Sequence, residues 1–194
     1  MSDAESELLS LIKERAFKTG DFQLASGDRS SYYIDGKMIE VFSAGARLIG
    51  EVLYERTKDL DIDAIGGLEV GAVPLTAAAV LTYGLHGQKM EGFWVRDQVK
   101  KHGTQKLIEG NLAKGSRVVV LDDVVTRGTS TVKAVQAVRE IGCEVVRVVA
   151  LVDRLQGARQ ALVREGITDY QPVFTIEDLG VKVDVRSQAQ VTSV

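Results

Sequence analysis

Cysteine, proline and histidine are scarce: the 194 residues hold one cysteine, two prolines and two histidines. The lone Cys143 cannot close an internal disulfide, so the fold must rest on its own core, and a reducing cytoplasm suits it. Two prolines leave no proline-rich linker, and neither repeats nor low-complexity tracts break the chain. No apolar run approaches the 18 residues of a spanning helix. The first 17 residues carry charges throughout, so they lack the apolar centre of a signal peptide, and no membrane role is expected. A basic excess is missing too: 24 Lys and Arg stand against 27 Asp and Glu, for a formal charge of -3. A nucleic-acid partner is therefore not expected, and any anion site must be local. No Gly-Lys-Ser or Gly-Lys-Thr opens a helix, which excludes a Walker-type phosphate loop.

Hydrophobic residues make up 45% of the chain and charged residues 26%, the balance of one soluble domain spanning residues 1–194. Ser2 and Glu5 suggest a capping box before Leu8, Leu9, Leu11, Ile12, Ala16 and Phe17, which recur at helical spacing. Residues 22–35 read as two small strands around a glycine turn, and 43–57 as a second helix. The pattern then alternates: strand 64–68, helix 72–81, strand 92–95, a charged loop over 96–110, strand 117–121, a helix presenting Val132, Ala134, Val135, Val138 and Ile141, and strand 145–152. Such alternation predicts an α/β fold whose parallel sheet is covered on both sides. Ligands in such sheets lie beyond the carboxyl ends of the strands. Residues 181–194 are ambiguous between a strand and a loose end.

The strongest signal is Val118 to Thr131, an apolar strand ending in Asp122 and Asp123, followed by a hydroxyl-rich turn that opens a helix. Backbone N–H groups at a helix start, with the hydroxyls of Thr126, Thr129, Ser130 and Thr131, make a cradle for a phosphate monoester. Gly128 can take a conformation closed to other residues. The two carboxylates would repel a phosphate in that cradle but could accept hydrogen bonds from sugar hydroxyls beside it. An isolated Asp or Thr there would be read as a helix cap.

The whole string resembles the phosphoribosyl pyrophosphate (PRPP) signature of type I phosphoribosyltransferases. The resemblance implies a central parallel sheet flanked by helices, with a small N-terminal hood formed by about residues 1–40. It also implies exchange of a base for pyrophosphate at the ribose C1, with Mg²⁺ held mainly through PRPP rather than by protein ligands. PRPP would be bound by Asp122, Asp123, Val124, Val125, Thr126, Arg127, Gly128, Thr129 and Ser130. The oxocarbenium-like transition state calls for charge neutralisation at the leaving group and exclusion of water.

Residues 96–110 alone could be any solvated loop. With Arg96, Lys100, His102 and Gly103 they resemble the catalytic loop of orotate phosphoribosyltransferases. That likeness implies catalytic roles for Lys100 and His102 alongside Asp122 and Asp123, PRPP contacts for Arg96, Lys100 and His102, and a homodimer in which the loop closes over the neighbour's site. The block 150–158 is similar to the family's Leu-Val-Asp-Arg-x-Gln-Gly, which implies that Arg154 pairs with the orotate carboxylate. The block 24–34 is similar to the family's Leu-Lys-Ser-Gly-x-x-Ser-x-Tyr, which implies that Tyr33 and Ile34 touch orotate, and the family likeness adds Thr126. The expected reaction joins orotate to PRPP, giving orotidine 5'-monophosphate and pyrophosphate in UMP biosynthesis.

Three positions depart from the family's lysines: Ala25, Gly71 and Asp97. Aspartate in a lid over a pyrophosphate turns attraction into repulsion, so Asp97 is expected to handicap the enzyme. Three readings remain open: an orotate enzyme with cations redistributed to Arg29, Lys100 and Lys101; a transferase for a purine base; and a noncatalytic PRPP-binding regulator.

Overall fold

The computed structural model describes residues 1–23, 29–98 and 106–183. The N-terminal part is helix α1 (Asp3–Leu11), a π-helical turn (Ile12–Ala16) and an antiparallel pair, β1 (Phe17–Gln23) and β2 (Arg29–Ile34). The expected capping box is present, with the Ser2 hydroxyl accepting from the Glu5 N–H and the Glu5 carboxylate accepting from the Ser2 N–H. Phe17 starts β1 rather than ending the helix, because the backbone turns extended at Phe17 (φ -98°, ψ 128°) directly after the wider π-helical turn. Helices α2 (Lys37–Glu40) and α3 (Ser43–Thr57) lead into the main sheet.

That sheet holds β3 (Ala64–Leu68), β4 (Glu91–Val95), β5 (Ile108–Gly110), β6 (Arg117–Val125), β7 (Glu144–Asp153) and β8 (Tyr170–Thr175), in the order β5-β4-β3-β6-β7-β8. Every neighbouring pair is parallel except β4 with β5. The short edge strand β5 lies where the sequence suggested only loop. Helices α4 (Ala72–Leu85), α5 (Thr129–Glu140) and α6 (Ala158–Arg164) cover the faces.

The alternation along β6 and β7 sorts the core. Val119, Leu121, Val149 and Leu151 pack with Leu8, Leu48, Leu53 and Leu75 on one face. Val118, Val120, Val148 and Ala150 pack with Val135, Val138 and Leu162 on the other. Burial of each such Val or Leu contributes roughly 1.5–3 kcal/mol, so the central strands are the fixed frame on which the loops sit. Among the described residues, no helix is long and apolar enough to cross a membrane.

Candidate active site

The frame delivers four strand ends to one edge: β3 before Glu69–Gly71, β4 before Arg96, β6 before the Thr126–Gly128 turn, and β7 before Arg154. β6 is longer than the sequence suggested. It runs through Val125, so Asp122 and Asp123 stand within the strand, paired to β7 at Asp122 with Ala150 and at Val125 with Asp153.

Gly128 has φ +78°, and a β-carbon there would lie 3.2 Å from the Ala158 Cα, so both conformation and packing require glycine. Its carbonyl accepts the first helical bond of α5, from Val132 N–H at 2.8 Å. Thr129 and Ser130 are exposed at the helix start, Thr126 is half-buried, and Arg127 is exposed at the turn. Their arrangement leaves the opening N–H groups of α5 toward an anion. Val124 is half-buried against one core and Val125 is buried in the other.

Thr131 does not belong to the cradle. It is buried, and its hydroxyl donates to Asp122 Oδ2 at 2.5 Å. Removal from water pushes the Asp122 carboxyl up to about 7, the Thr131 bond opposing and the charge of Asp123 adding to the rise. Asp123 lies against backbone on two sides. A β-carbon at Gly71 would come within 2.3 Å of its Oδ1, and one at Gly36 within 3.3 Å of its Oδ2. That close approach gives a physical reason for glycine at position 71, one of the departures from the family pattern.

Arg154 is tied to this turn by its N–H, which donates to the Val125 carbonyl at 2.9 Å. Its Nε donates to the Tyr32 hydroxyl at 3.1 Å, an Nη reaches Ser30 Oγ at 3.5 Å, and the guanidinium carbon lies 4.7 Å from the Tyr32 ring centre. Beneath it, buried Asp153 accepts from the Leu155 N–H at 2.7 Å and the Tyr170 hydroxyl at 2.9 Å. Burial, and then the charge of Asp153, raises the Tyr170 phenol far above its ordinary range, so it serves as a fixed donor. Leu155 takes φ 56°, a left-handed conformation that this pair holds in place.

Tyr33 and Ile34 divide by the alternation of β2. Tyr33 is exposed and its ring lies 5.7 Å from that of Phe22, whereas Ile34 packs against the core beneath the hood. The tyrosine that meets Arg154 is Tyr32. The Tyr32, Ser30, Asp153 and Tyr170 contacts escaped the sequence reading, because they join β2, β7 and β8 across long sequence separations. Only the period of two along β2 could have separated Tyr32 from Tyr33.

Arg96 is held by acids: its Nε donates to Glu109 Oε1 at 2.9 Å, and a second nitrogen lies 4.0 Å from Glu69. Asp97 pairs with Lys133 of α5 at 2.7 Å, and its N–H donates to Glu69 Oε1 at 3.3 Å. Asp97 thus anchors the start of the loop to α5. Arg29 pairs with Asp21 across the hood. Lys100, Lys101, His102, Gly103 and Ala25 lie outside the described residues. Among the described residues, no group of three or more His, Cys, Asp or Glu side chains could hold a metal ion.

Comparison with known proteins agrees with this geometry. The phosphoribosyl transferase domain family matches residues 36–177. The orotate phosphoribosyltransferase of Corynebacterium glutamicum is 41% identical over 180 residues, covering 93% of this chain and 96% of the relative. That of Aquifex aeolicus is 43% identical over 176 residues, covering 89% and 96%. The Mycobacterium tuberculosis H37Rv orotate phosphoribosyltransferase, solved in complex with 5-phospho-alpha-D-ribosyl 1-diphosphate, superposes with a TM-score of 0.76 at 35% identity, over 92% of this chain and 99% of that one. With the domain, the sheet order and near full-length relatives in agreement, the chain belongs to the orotate phosphoribosyltransferase family.

Proposed function

We propose that the chain transfers the 5-phosphoribosyl group of PRPP to orotate, giving orotidine 5'-monophosphate and pyrophosphate in pyrimidine biosynthesis. The observation that carries this reading is the 2.9 Å main-chain hydrogen bond from Arg154 N–H to the Val125 carbonyl, which sets the backbone of Arg154 beside the residue that leads into the Thr126–Gly128 turn. A ligand spanning both must carry a phosphate at one end and an acceptor for a guanidinium at the other. Ribose phosphate with an orotate carboxylate meets that demand.

The turn at Thr126–Gly128 and the start of α5 receive the 5-phosphate, with N–H donors and the helix dipole favouring the dianion. Asp123 and Asp122 accept from the ribose hydroxyls, and the Thr131 bond keeps Asp122 oriented. Arg154 pairs with the orotate carboxylate through two parallel N–H donors, a geometry that lysine lacks. The C1–oxygen bond to the diphosphate breaks with its electron pair leaving on that oxygen, and the N1 nitrogen of deprotonated orotate forms the new bond to C1. Mg²⁺ would be carried on PRPP rather than by protein ligands, with Asp122 and Asp123 the acidic side chains beside it. Bound in that way, the ion would neutralise charge on the departing diphosphate.

By family likeness Lys100 and His102 act on the diphosphate, Tyr33 and Ile34 lie toward the base, and the enzyme is a cytoplasmic homodimer with shared sites. The whole chain acts as one domain, with about residues 1–40 as a hood. Mixing inactive Lys100→Ala and Asp123→Asn proteins should then recover activity through hybrid dimers. No recovery, with subunit exchange demonstrated, would refute the shared site. The function itself is tested by incubating the protein with PRPP, Mg²⁺ and, separately, orotate, hypoxanthine and xanthine. Orotidine 5'-monophosphate is expected. Turnover of a purine alone would overturn the choice of base, and PRPP binding without any turnover would indicate a regulator.

A further inference from the structure

Glu40, the last residue of α2, is only 3% exposed. Neither of its carboxyl oxygens has a hydrogen-bond partner among the described residues. A charged, unpartnered carboxylate in such a place is costly, so the site must supply a proton, a cation or a donor. Its surroundings point toward Asp123. A β-carbon on Gly36 would meet Glu40 Oε1 at 2.1 Å and Asp123 Oδ2 at 3.3 Å, so the two carboxyls flank one glycine. Nothing larger fits between them without displacing one or the other.

The charged groups that act on Glu40 are Asp123 from β6, Lys37 on its own helix and Asp35 just before it. Lys37 Nζ stands 3.6 Å from Asp35 Oδ1. The cations of the other elements packed on α2 are turned elsewhere: the Arg15 guanidinium lies over the Phe42 ring, and Arg47 of α3 pairs with Glu51 and Glu7. Burial, then the charge of Asp123, pushes the Glu40 carboxyl up to about 8, with Lys37 opposing and Asp35 adding.

We propose that Glu40 is a positioning residue of the PRPP site: carried as a neutral carboxylic acid beside Asp123, it leaves Asp123 as the negative charge presented to the ribose hydroxyls. The inference rests on the proposed PRPP chemistry. PRPP brings several negative charges to this edge, and a second carboxylate next to Asp123 would repel them and pull Asp123 away from the sugar. The neutral acid removes that charge and can donate its O–H into the space the two carboxyls share. Lys37, largely exposed above them, supplies compensating positive charge.

The test is PRPP affinity by calorimetry, with kcat/KM for PRPP, from pH 6.5 to 9.5 in wild type, Glu40→Gln and Glu40→Ala. Wild type should lose about tenfold in both quantities as pH passes one unit above 8, where ionisation of Glu40 would be about nine-tenths complete. Glu40→Gln, which keeps the shape and cannot ionise, should abolish that alkaline decline. Glu40→Ala should weaken PRPP use about tenfold at pH 7, Glu40→Gln should restore most of it, and KM for orotate should stay unchanged. The proposal is overturned if wild type shows no decline, if the decline survives in Glu40→Gln, or if Gln and Ala are equally impaired at pH 7. Wild type that binds PRPP but makes no orotidine 5'-monophosphate would sink the proposed reaction while the calorimetric pH series still decides the role of Glu40.

Discussion

Of the single side chains proposed to act on the base, Arg154 is the one whose support is most fully drawn. The Tyr32 hydroxyl, the Tyr32 ring and Ser30 hold the guanidinium, and among the described residues no acid pairs with it, so its charge is available to a ligand. Arg154→Ala should raise KM for orotate roughly 30-fold, the equivalent of about 2 kcal/mol for a lost charge-assisted pair, with KM for PRPP nearly unchanged. Steady-state kinetics with each substrate varied will check this, and equal effects on both would mark Arg154 as structural. Asp97 calls for the opposite revision. On charge alone it handicaps the lid, and a lysine there should help. The structure instead pairs it with Lys133 at 2.7 Å, so Asp97→Lys would set two ammonium groups together. The pair is exposed, which limits its worth to about 1 kcal/mol or less. Asp97→Lys is expected to lower kcat/KM for PRPP by at most about fivefold, and the charge-swapped Asp97→Lys with Lys133→Asp should recover it. A gain in the single variant would show that repulsion from the leaving group outweighs anchoring.

At the level of elements, the unit β6, turn and α5 was legible because its signals are local. A continuous apolar run, two acids, a glycine that must adopt positive φ and a helix-opening hydroxyl cluster all fall within 15 residues, and the fold preserves their order. What sequence spacing missed are contacts between distant segments. Thr131 reads as one more cradle hydroxyl until its bond to Asp122 is seen. Glu40 carries no local signal at all, and its place beside Asp123 of β6, across Gly36, is visible only in the fold. Edge strand β5, three residues long and antiparallel, carries too little pattern to distinguish from loop. The acids of β6 offer a test of which description holds. Asp122 is penalised by burial, and Asp123 is half-buried with its oxygens against Gly71 and Gly36, so neither charge supports the core. Changing both to Asn should lower kcat/KM for PRPP at least tenfold without lowering the melting temperature by more than about 2 °C, a loss below roughly 1 kcal/mol for a chain of this size. A variant that unfolds would instead make the acids part of the helix cap.

Across the whole molecule, Asp122 and Glu40 tie stability to pH in the same direction. Both have folded-state values raised above the ordinary carboxyl, to about 7 and about 8, chiefly through burial. The folded state therefore holds protons that the unfolded chain has already released, and stability contributed by these groups is complete below about pH 4 and lost as pH rises through the raised values. Burial of this kind costs a few kcal/mol per group at alkaline pH, and less at Asp122, which retains some access to water. The fold thus tolerates a destabilising carboxyl at its hood, as active sites commonly do where function and stability compete. Glu40→Gln removes the ionisable group without changing its size, so its effect on melting should itself depend on pH. At pH 4, where Glu40 is protonated in the folded state and mostly so in the unfolded chain, the variant and wild type should melt nearly together. By pH 9 wild type must bury the charge and the variant need not, and a relief of about 2 kcal/mol would raise its melting temperature by roughly 4–8 °C. Thermal unfolding followed by circular dichroism at the two pH values measures that difference. A constant offset would mean that lost packing, not lost charge, separates the two proteins, and a lower melting point at pH 9 would mean that the Glu40 carboxylate finds a donor in the folded protein and is worth keeping ionised.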